Sequence, residues 1–261
     1  MKHRTLKNSI ITLILFFLYL PIIILVIYSF NTSKMNVVFE GFTFDWYKTL
    51  FDNTDLIEAF INTLIIAITS TAISTVIGTI GAIGLKKYKF RGKQFINLLL
   101  YIPIVIPEIV LGISLLSVYT LTKLELGMFT LILSHISFSI PFVIVSVRSA
   151  LSKDLDTYEE AAKDLGANNT NTFFKVTLPY IMPGVISGAL LAFTLSLDDV
   201  VISYFTAGPG SNTLPLKIYS MIKTGISPDV NALSSLMLLA IMFILTISVI
   251  IQSRKIVRGA K

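Results

Sequence analysis

The chain has 261 residues, of which 54 % are hydrophobic and 14 % charged, with a mean hydropathy of +0.81; this excludes an ordinary soluble domain and fits one membrane domain over residues 1–261. It contains no cysteine, which excludes disulfides, thiol catalysis and thiolate metal sites. A net charge of +6 at pH 7 is compatible with nucleic-acid binding, but the positions of the basic residues argue against it.

Six apolar stretches are long enough to cross a bilayer as helices, which takes about 20 residues. The first follows Lys2, Arg4 and Lys7 as a signal peptide would, but its apolar run is about 20 residues long and no small-residue cleavage site follows. We therefore interpret it as an uncleaved span. The six predicted spans cover residues 9–30, 61–85, 95–122, 128–147, 185–205 and 230–252. The sequence thus predicts an all-α integral membrane protein with six transmembrane helices.

Lysine and arginine residues predict the orientation of these spans, because positive residues are retained on the cytoplasmic side. With the N-terminus inside, all 21 fall on that side except Lys34, Lys48, Lys123, Lys217 and Lys223. Both termini and the polar connection between the fourth and fifth spans are therefore predicted to be cytoplasmic. This topology explains the basic excess, so we expect no nucleic-acid partner.

Two patterns concern helix packing inside the membrane. Gly78, Gly81 and Gly84 repeat every three residues in the second span, a spacing that permits close contact between helices. His135 lies in the fourth span, far from His3, and neither histidine belongs to a paired-ligand pattern typical of zinc hydrolases. We interpret His135 as a residue that packs between helices.

Three acidic residues fall inside predicted spans: Glu108 in the third, and Asp198 and Asp199 in the fifth. No lysine or arginine lies in any span to neutralise them. Since each charge costs about 2.5 to 3.5 kcal/mol at a helix centre, these acids must face the bundle interior or a water-filled path. Glu108 and Asp198 each lie about 21 to 22 Å from the inner end of their span, at a similar height in the outer half of the bilayer. Carboxylates without a fixed cation favour a positively charged cargo.

The only tryptophan, Trp46, lies in the acidic segment that follows the first span, between Phe44 and Tyr47. An indole ring there can stack on a cation and so contribute to a substrate path. An aromatic cluster at this position is also typical of an anchor at the membrane interface. Both interpretations stay open.

The polar connection contains a predicted short helix. Thr157 is placed to cap the backbone amides, and Glu160, three residues later, completes a capping box. Helical spacing then puts an apolar face on one side, and Gly166 supplies a left-handed stop. That face consists of Tyr158, Ala161, Ala162 and Leu165. Because so short a helix is unstable alone in water, we expect it to dock on another surface.

The spacing within this connection resembles the EAA loop of the permease subunits of binding-protein-dependent ABC importers. The sequence has Glu160-Ala161-Ala162, three residues, Gly166, nine residues, Val176, one residue and then Leu178-Pro179. Val176 stands where that family most often has isoleucine, a small change in volume. The resemblance implies that residues 157–179 form a cytoplasmic coupling loop of two short helices that fits a groove on an ATPase subunit. The residues that it assigns to this contact are Tyr158, Glu160, Ala161, Ala162, Leu165 and Gly166.

A narrower resemblance covers nearly the whole chain. The YSFN and DWY of the first outer segment, the NTL at 62–64, IPIVIPEIVLGISLL in the third span and LSLDDVVISYFTAGPGSNTLP at the fifth are similar to the spermidine/putrescine permeases of ABC importers. This resemblance implies polyamine cargo, with Asp198, Asp199, Glu108 and Trp46 along the substrate path. It also implies a location in the bacterial plasma membrane, with lipid around the spans.

The same resemblance implies a set of partners. These are a second, homologous permease subunit, two ATPase subunits and an external polyamine-binding protein. ATP and Mg bind to the ATPase subunits, so this chain is expected to bind no cofactor or metal and to catalyse no reaction.

Three alternatives remain at this stage. The same importer architecture serves other cargoes, such as an iron complex, an amino acid or a sugar derivative. A cation channel would use the same acids but has no need of an EAA loop. An intramembrane aspartyl protease needs two aspartates from different helices that share a proton, whereas Asp198 and Asp199 are consecutive.

Overall fold

The computed structural model describes residues 2–34, 38–152, 154–222 and 227–259. Lys153, Lys223 and Lys261, which entered the count of basic residues, lie outside these ranges. Most of the described residues are helical, and the sole β-bridge among them joins Asn31 to Phe42. The helices are α1 (Lys2–Tyr28), α2 (Asp45–Asp52), α3 (Thr54–Lys87), α4 (Lys93–Val105), α5 (Glu108–Leu121), α6 (Met128–Ala150), α7 (Asp154–Asp164), α8 (Asn169–Thr172), α9 (Leu178–Leu197), α10 (Val201–Thr206), α11 (Leu214–Met221) and α12 (Pro228–Gly259), with a π-helical segment, Phe173–Thr177, between α8 and α9.

Four helical stretches are long and apolar enough to cross a membrane, and α4 with α5 makes a fifth if the bent pair is one span. The four are Lys7–Tyr28, Thr54–Lys87, Met128–Ala150 and Asn169–Leu197. In α12 the described apolar part, Pro228–Phe243, is shorter than these. The all-α membrane architecture is therefore confirmed, with four to five spans identified by length and composition.

The third predicted span is not a continuous helix. It was expected over residues 95–122, but α4 ends at Val105 and α5 begins at Glu108, with axes 112° apart. Pro107 disfavours helical backbone in the residue before it, and Ile106 is extended, with φ −70° and ψ 137°. The chain therefore changes direction at these two residues.

The fifth predicted span is displaced and broken. The expectation was one helix over residues 185–205, but the apolar helical stretch begins at Asn169 and ends at Leu197, and α10 follows after a gap of three residues. Asn168 begins the stretch, because its side-chain oxygen accepts the N–H of Asn171 at 2.8 Å. Asp198 and Asp199 consequently lie in a helix break, and the prediction that they stand inside a continuous span is wrong.

Residues 58–217 form one compact unit, and residues 1–57 with 218–261 form another. In the first of these, α6 packs along α9. Its buried apolar core consists of Ala82, Leu85, Val143, Ile144, Val147, Leu155, Ile181 and Ala192. The other unit contains α1, α2 and α12, and there the side chain of Asn53 donates to Asp229 at 2.6 Å.

Glycines bring the helices of the 58–217 unit close together. A Cβ at Gly78 would lie 2.6 Å from the Val143 side chain, and one at Gly81 would touch Ile144 at 3.4 Å. Close contact is therefore confirmed at these two positions. Among the described residues, a Cβ at Gly84 would have no neighbour within 4 Å, so the close contact does not extend to this third glycine.

The α6–α9 contact gives a test with a matched control. A Cβ at Gly184 would lie 2.6 Å from the Ala150 Cβ and 3.0 Å from the Ser146 carbonyl oxygen. We expect Gly184→Ala to destabilise the purified protein by about 1 to 3 kcal/mol through overpacking. Gly84→Ala meets no obstacle and should keep or slightly raise stability, since alanine favours helix. Thermal unfolding in detergent compares the two, and equal melting temperatures would contradict this packing.

Candidate functional site

Two helix breaks lie side by side in the 58–217 unit. One separates α4 from α5 at Ile106 and Pro107, and the other separates α9 from α10. Helices α5 and α10 pack on each other, so closely that a Cβ at Gly112 would lie 2.6 Å from the Phe205 ring. Glu108 opens α5, and the charges of Asp198 and Asp199 both act on it. The structure thus brings the three predicted acids of the 58–217 unit together.

Asp199 is a buried structural carboxylate. It is only 8 % exposed, and its two oxygens accept the N–H groups of Ile202 at 3.1 Å and Ser203 at 2.7 Å in the first turn of α10. The Ser203 hydroxyl donates to it as well, at 2.7 Å. These donors would have no helical partner at the start of α10. Asp199 therefore starts the helix after the break.

His135 joins the elements around this break. Its ring is 1 % exposed, with Nδ1 2.6 Å from Ser196 Oγ on α9 and Nε2 3.2 Å from Ser203 Oγ on α10. Nε2 also lies 3.5 Å from Asp199 Oδ2. The Ser196 hydroxyl also forms a hydrogen bond with the Ser70 hydroxyl on α3, with 3.2 Å between the two oxygens. His135 packs between helices as predicted, and the contacts that it makes there are polar.

Glu108 and Asp198 differ from Asp199 in their surroundings. Both side chains are exposed, and neither accepts a hydrogen bond or forms an ion pair within the described part of the chain. The consecutive aspartates therefore have separate tasks. Asp199 satisfies backbone donors inside the protein, while Asp198 and Glu108 leave their oxygens available.

Trp46 lies in the other compact unit. Its indole Nε1 donates to the Asn31 carbonyl oxygen at 2.5 Å, which ties α2 to the segment that follows α1. Beside it, the Phe30 ring contacts Phe44 and Tyr47 at centroid distances of 5.4 and 5.3 Å. Trp46 thus stabilises the contact between α2 and the segment after α1. Stacking of its ring on a cation stays a prediction.

Helix α7, in the predicted coupling loop, begins earlier than the sequence indicated. It starts at Asp154, so Thr157 lies inside the helix and the predicted capping box is wrong. Asp154 and Asp156 in the first turn suit the positive end of the helix dipole, which explains the earlier start.

The end of α7 agrees with the prediction. Gly166 has φ +86°, and its N–H donates to the Lys163 carbonyl at 2.8 Å while the N–H of Ala167 donates to that of Ala162 at 3.0 Å. This pair of bonds is a Schellman motif, which glycine permits because it has no Cβ. Gly166 is confirmed as the left-handed stop.

The two faces of α7 have different environments. Leu165 is 90 % exposed and Tyr158 52 %, and Glu160 and Ala161 are exposed beside them. On the other side Leu155 is 1 % exposed and belongs to the core. The face predicted to dock is thus largely free of the protein's own core, apart from the half-buried Ala162.

Glu159 holds α7 on the rest of the unit, and sequence reasoning missed it in favour of Glu160. Lys87 Nζ donates to both of its oxygens, at 2.8 and 2.7 Å, and the Thr177 hydroxyl donates at 2.5 Å. Burial raises the pKa of Glu159, but these hydrogen bonds and the positive charge of Lys87 lower it more, so the net pKa lies below its usual value. Glu159 follows Leu155 by one helical turn, and that spacing was the signal available in the sequence.

Comparison with known proteins places these features in a family. Residues 74–260 match the family described as binding-protein-dependent transport system inner membrane component. The spermidine/putrescine transport system permease protein PotC of Escherichia coli (strain K12) is 44 % identical over 258 residues, which cover 99 % of this chain and 96 % of that protein. The putrescine transport system permease protein PotI of the same strain is 41 % identical over 233 residues, 86 % of this chain and 83 % of that one.

A solved structure shares the fold. It is a chain of a bacterial ABC transporter involved in the import of the acidic polysaccharide alginate, with a TM-score of 0.69 over 96 % of this chain and 95 % of that chain. At 14 % sequence identity this likeness concerns the fold alone.

The two consecutive aspartates can be separated by experiment. Asp199→Ala leaves three donors without their acceptor, two of them backbone N–H groups, and each buried unsatisfied group costs about 1 to 3 kcal/mol. We expect a clearly lower melting temperature for Asp199→Ala and little change for Asp198→Ala. Thermal unfolding of the purified variants measures both. An equal decrease in melting temperature in both variants would show that Asp199 does not stabilise the fold more than Asp198 does.

Proposed function

This chain belongs to the family of binding-protein-dependent transport system inner membrane components, and from that premise we propose that it is the permease subunit through which an ATP-driven importer moves polyamines, spermidine and putrescine, into the cytoplasm. It is a multi-pass membrane protein without a catalytic role, since a separate ATPase hydrolyses ATP. The polyamine transport named for its relatives supports the cargo, and so does the chemistry of the helix breaks.

The pair Glu108 and Asp198 is the observation that carries this proposal. Polyamines are flexible alkyl chains that carry two or more ammonium groups. Each ammonium group loses water of hydration when it enters a membrane. Two exposed carboxylates that lack a partner in the described chain replace that water and repel anions. Broken transmembrane helices also form the cargo sites of many transporters. The alginate importer shares the fold yet is involved in the import of an acidic polysaccharide, so the fold alone does not determine the sign of the cargo's charge.

The transport cycle follows from alternating access. The external binding protein delivers the polyamine, ATP binding closes the ATPase dimer, and the coupling loop transmits this movement to the spans. Release requires that the outward-facing and inward-facing states differ in their affinity for the cargo, because a ligand shifts a conformational equilibrium only through such a difference. We infer that the cargo meets fewer carboxylates in the inward-facing state.

The assembly that we propose has two permease subunits, this chain and a homologous one, and two ATPase subunits that bind ATP and Mg. The chain forms one membrane domain with six spans and both termini in the cytoplasm, and α12 is the sixth span. Asp198, Asp199, Glu108 and Trp46 belong to the substrate path, and Asp199 has a structural task there as well. On the cytoplasmic side the coupling loop docks on the ATPase through Tyr158, Glu160, Ala161, Ala162 and Leu165, and Gly166 shapes its end.

Charge removal at the breaks tests the cargo assignment. We expect Glu108→Gln and Asp198→Asn each to lower spermidine uptake at low concentration about tenfold or more, since a loss of about 1.4 kcal/mol corresponds to tenfold. Radiolabelled spermidine uptake is measured in cells that lack other polyamine importers and express the partner subunits. Glu125→Gln, an exposed acid in the turn before α6, is the control and should transport normally. Uptake at the unmodified rate in both test variants would remove the assignment.

Substitution of Gly166 at the end of α7 tests whether the predicted coupling loop docks on the ATPase. Gly166 and Gly92 both have positive φ, +86° and +87°, and neither has an atom near the Cβ that alanine would add. Each change to alanine therefore strains the backbone by about 1 to 2 kcal/mol without a clash. We expect only Gly166→Ala to reduce co-purification of the ATPase, because Gly92 lies outside the coupling loop. ATPase recovered at full yield with Gly166→Ala, or lost equally with Gly92→Ala, would contradict docking through this loop.

A further inference from the structure

Glu159 connects three elements that are separate in the sequence. It lies on α7, receives two hydrogen bonds from Lys87 in the last turn of α3, and receives a third from Thr177 at the end of the π-helical segment that leads into α9. Glu159 and Thr177 are 7 % and 1 % exposed. We call these three residues the Glu159 clamp.

We propose that the Glu159 clamp fixes α7 to the ends of α3 and α9, so that a displacement of α7 by the ATPase moves both spans together. This inference rests on the proposed function, because it needs an ATPase that acts on α7. Glu159 is accordingly a positioning residue. It lies on the inner side of the helix and acts through Lys87 and Thr177.

A second polar contact between α3 and α7 is weaker. Lys86 donates to Asp156 at 2.9 Å, but the Asp156 side chain is 52 % exposed. Exposed ion pairs contribute little to stability, whereas a buried carboxylate with charge-assisted hydrogen bonds is costly to disrupt, because the remaining charge loses its partner. Lys86 also donates to the Ser152 carbonyl just before α7, at 2.7 Å, but Glu159 makes the most buried polar contact between α3 and α7 themselves.

The π-helical segment makes the clamp specific to α9. Such segments are short and less regular than the α-helix, and they frequently mark functional positions. Phe173–Thr177 joins α8 to α9 without a break, and the Thr177 side chain places the clamp at the point where α9 begins. A displacement of α7 is therefore transmitted to the start of α9. The other end of α9 carries Ser196 and leads into Asp198 and Asp199.

Loss of the clamp should separate docking from transport. The exposed Tyr158 and Leu165 project about 100 to 120° away from Glu159 around the axis of α7, so a change at the buried Glu159 leaves them exposed for docking. The ATPase would still bind and hydrolyse ATP, and Leu155 would stay packed in the core, but a movement of α7 would be transmitted to α3 and α9 less completely. The quantity that changes is the number of polyamine molecules imported per ATP.

The experiment uses the complete importer in proteoliposomes, with spermidine uptake and ATP hydrolysis measured in parallel. We expect Glu159→Gln to lower uptake per ATP about fivefold or more, the lower end of typical coupling between sites, while the ATPase still co-purifies. Asp156→Asn is the matched control, since it removes the charge from the exposed Lys86–Asp156 contact between the same two helices. Uptake per ATP should not change in this variant. An unchanged ratio in Glu159→Gln, or loss of the ATPase from the complex, would overturn the clamp.

A cross-link provides a second test that does not depend on the stability of one variant. The chain has no native cysteine, so Lys87→Cys with Glu159→Cys gives a single pair of thiols. A short bifunctional thiol reagent should restore uptake per ATP in the double variant, and no recovery after complete cross-linking would contradict a mechanical role. An unmodified importer that takes up no polyamine at all would instead refute the proposed function.

Discussion

A charged group within an apolar bundle must be surrounded either by donors of the protein or by water and cargo, because an uncompensated charge is too costly there. This chain applies both solutions at neighbouring positions. Asp199 is buried and its oxygens accept three hydrogen bonds, whereas Asp198 is exposed. The two consecutive aspartates thus have different roles, since Asp199 accepts the free donors at the start of α10 and Asp198 keeps its oxygens exposed.

The helix breaks and the carboxylates depend on each other. A break frees backbone N–H groups that must find acceptors. Asp199 accepts those at the start of α10, and His135 links the same site to α9 and α10. At the other break, Pro107 has no N–H to satisfy and turns the chain so that Glu108 starts α5 beside α10. The polar residues at the two breaks therefore stabilise the irregular backbone, through Asp199, and provide exposed carboxylates, through Glu108 and Asp198.

Apolar length was sufficient to predict the unbroken helices α1, α3 and α6. The position of Gly166 was enough to predict the end of α7. Hydropathy averages over a window, so it cannot detect a 112° bend inside an apolar stretch, and it merged α4 with α5. The task of Asp199 depends on His135, which is distant in sequence and reaches it only through the packing of α6 against α9 and α10. Likewise, motif spacing selected Glu160, while three-dimensional contacts single out its neighbour Glu159.

Transport of a polycation at the expense of ATP is the central claim, and flux through the reconstituted importer tests it most directly. Proteoliposomes with both permease subunits, the ATPase and the external binding protein are given radiolabelled spermidine, with ATP or without it on the ATPase side. The account predicts saturable uptake only with ATP, inhibited by excess putrescine and unaffected by a neutral sugar or an amino acid. Uptake or cation current without ATP, or ATP-driven uptake of a different cargo in place of spermidine, would contradict it.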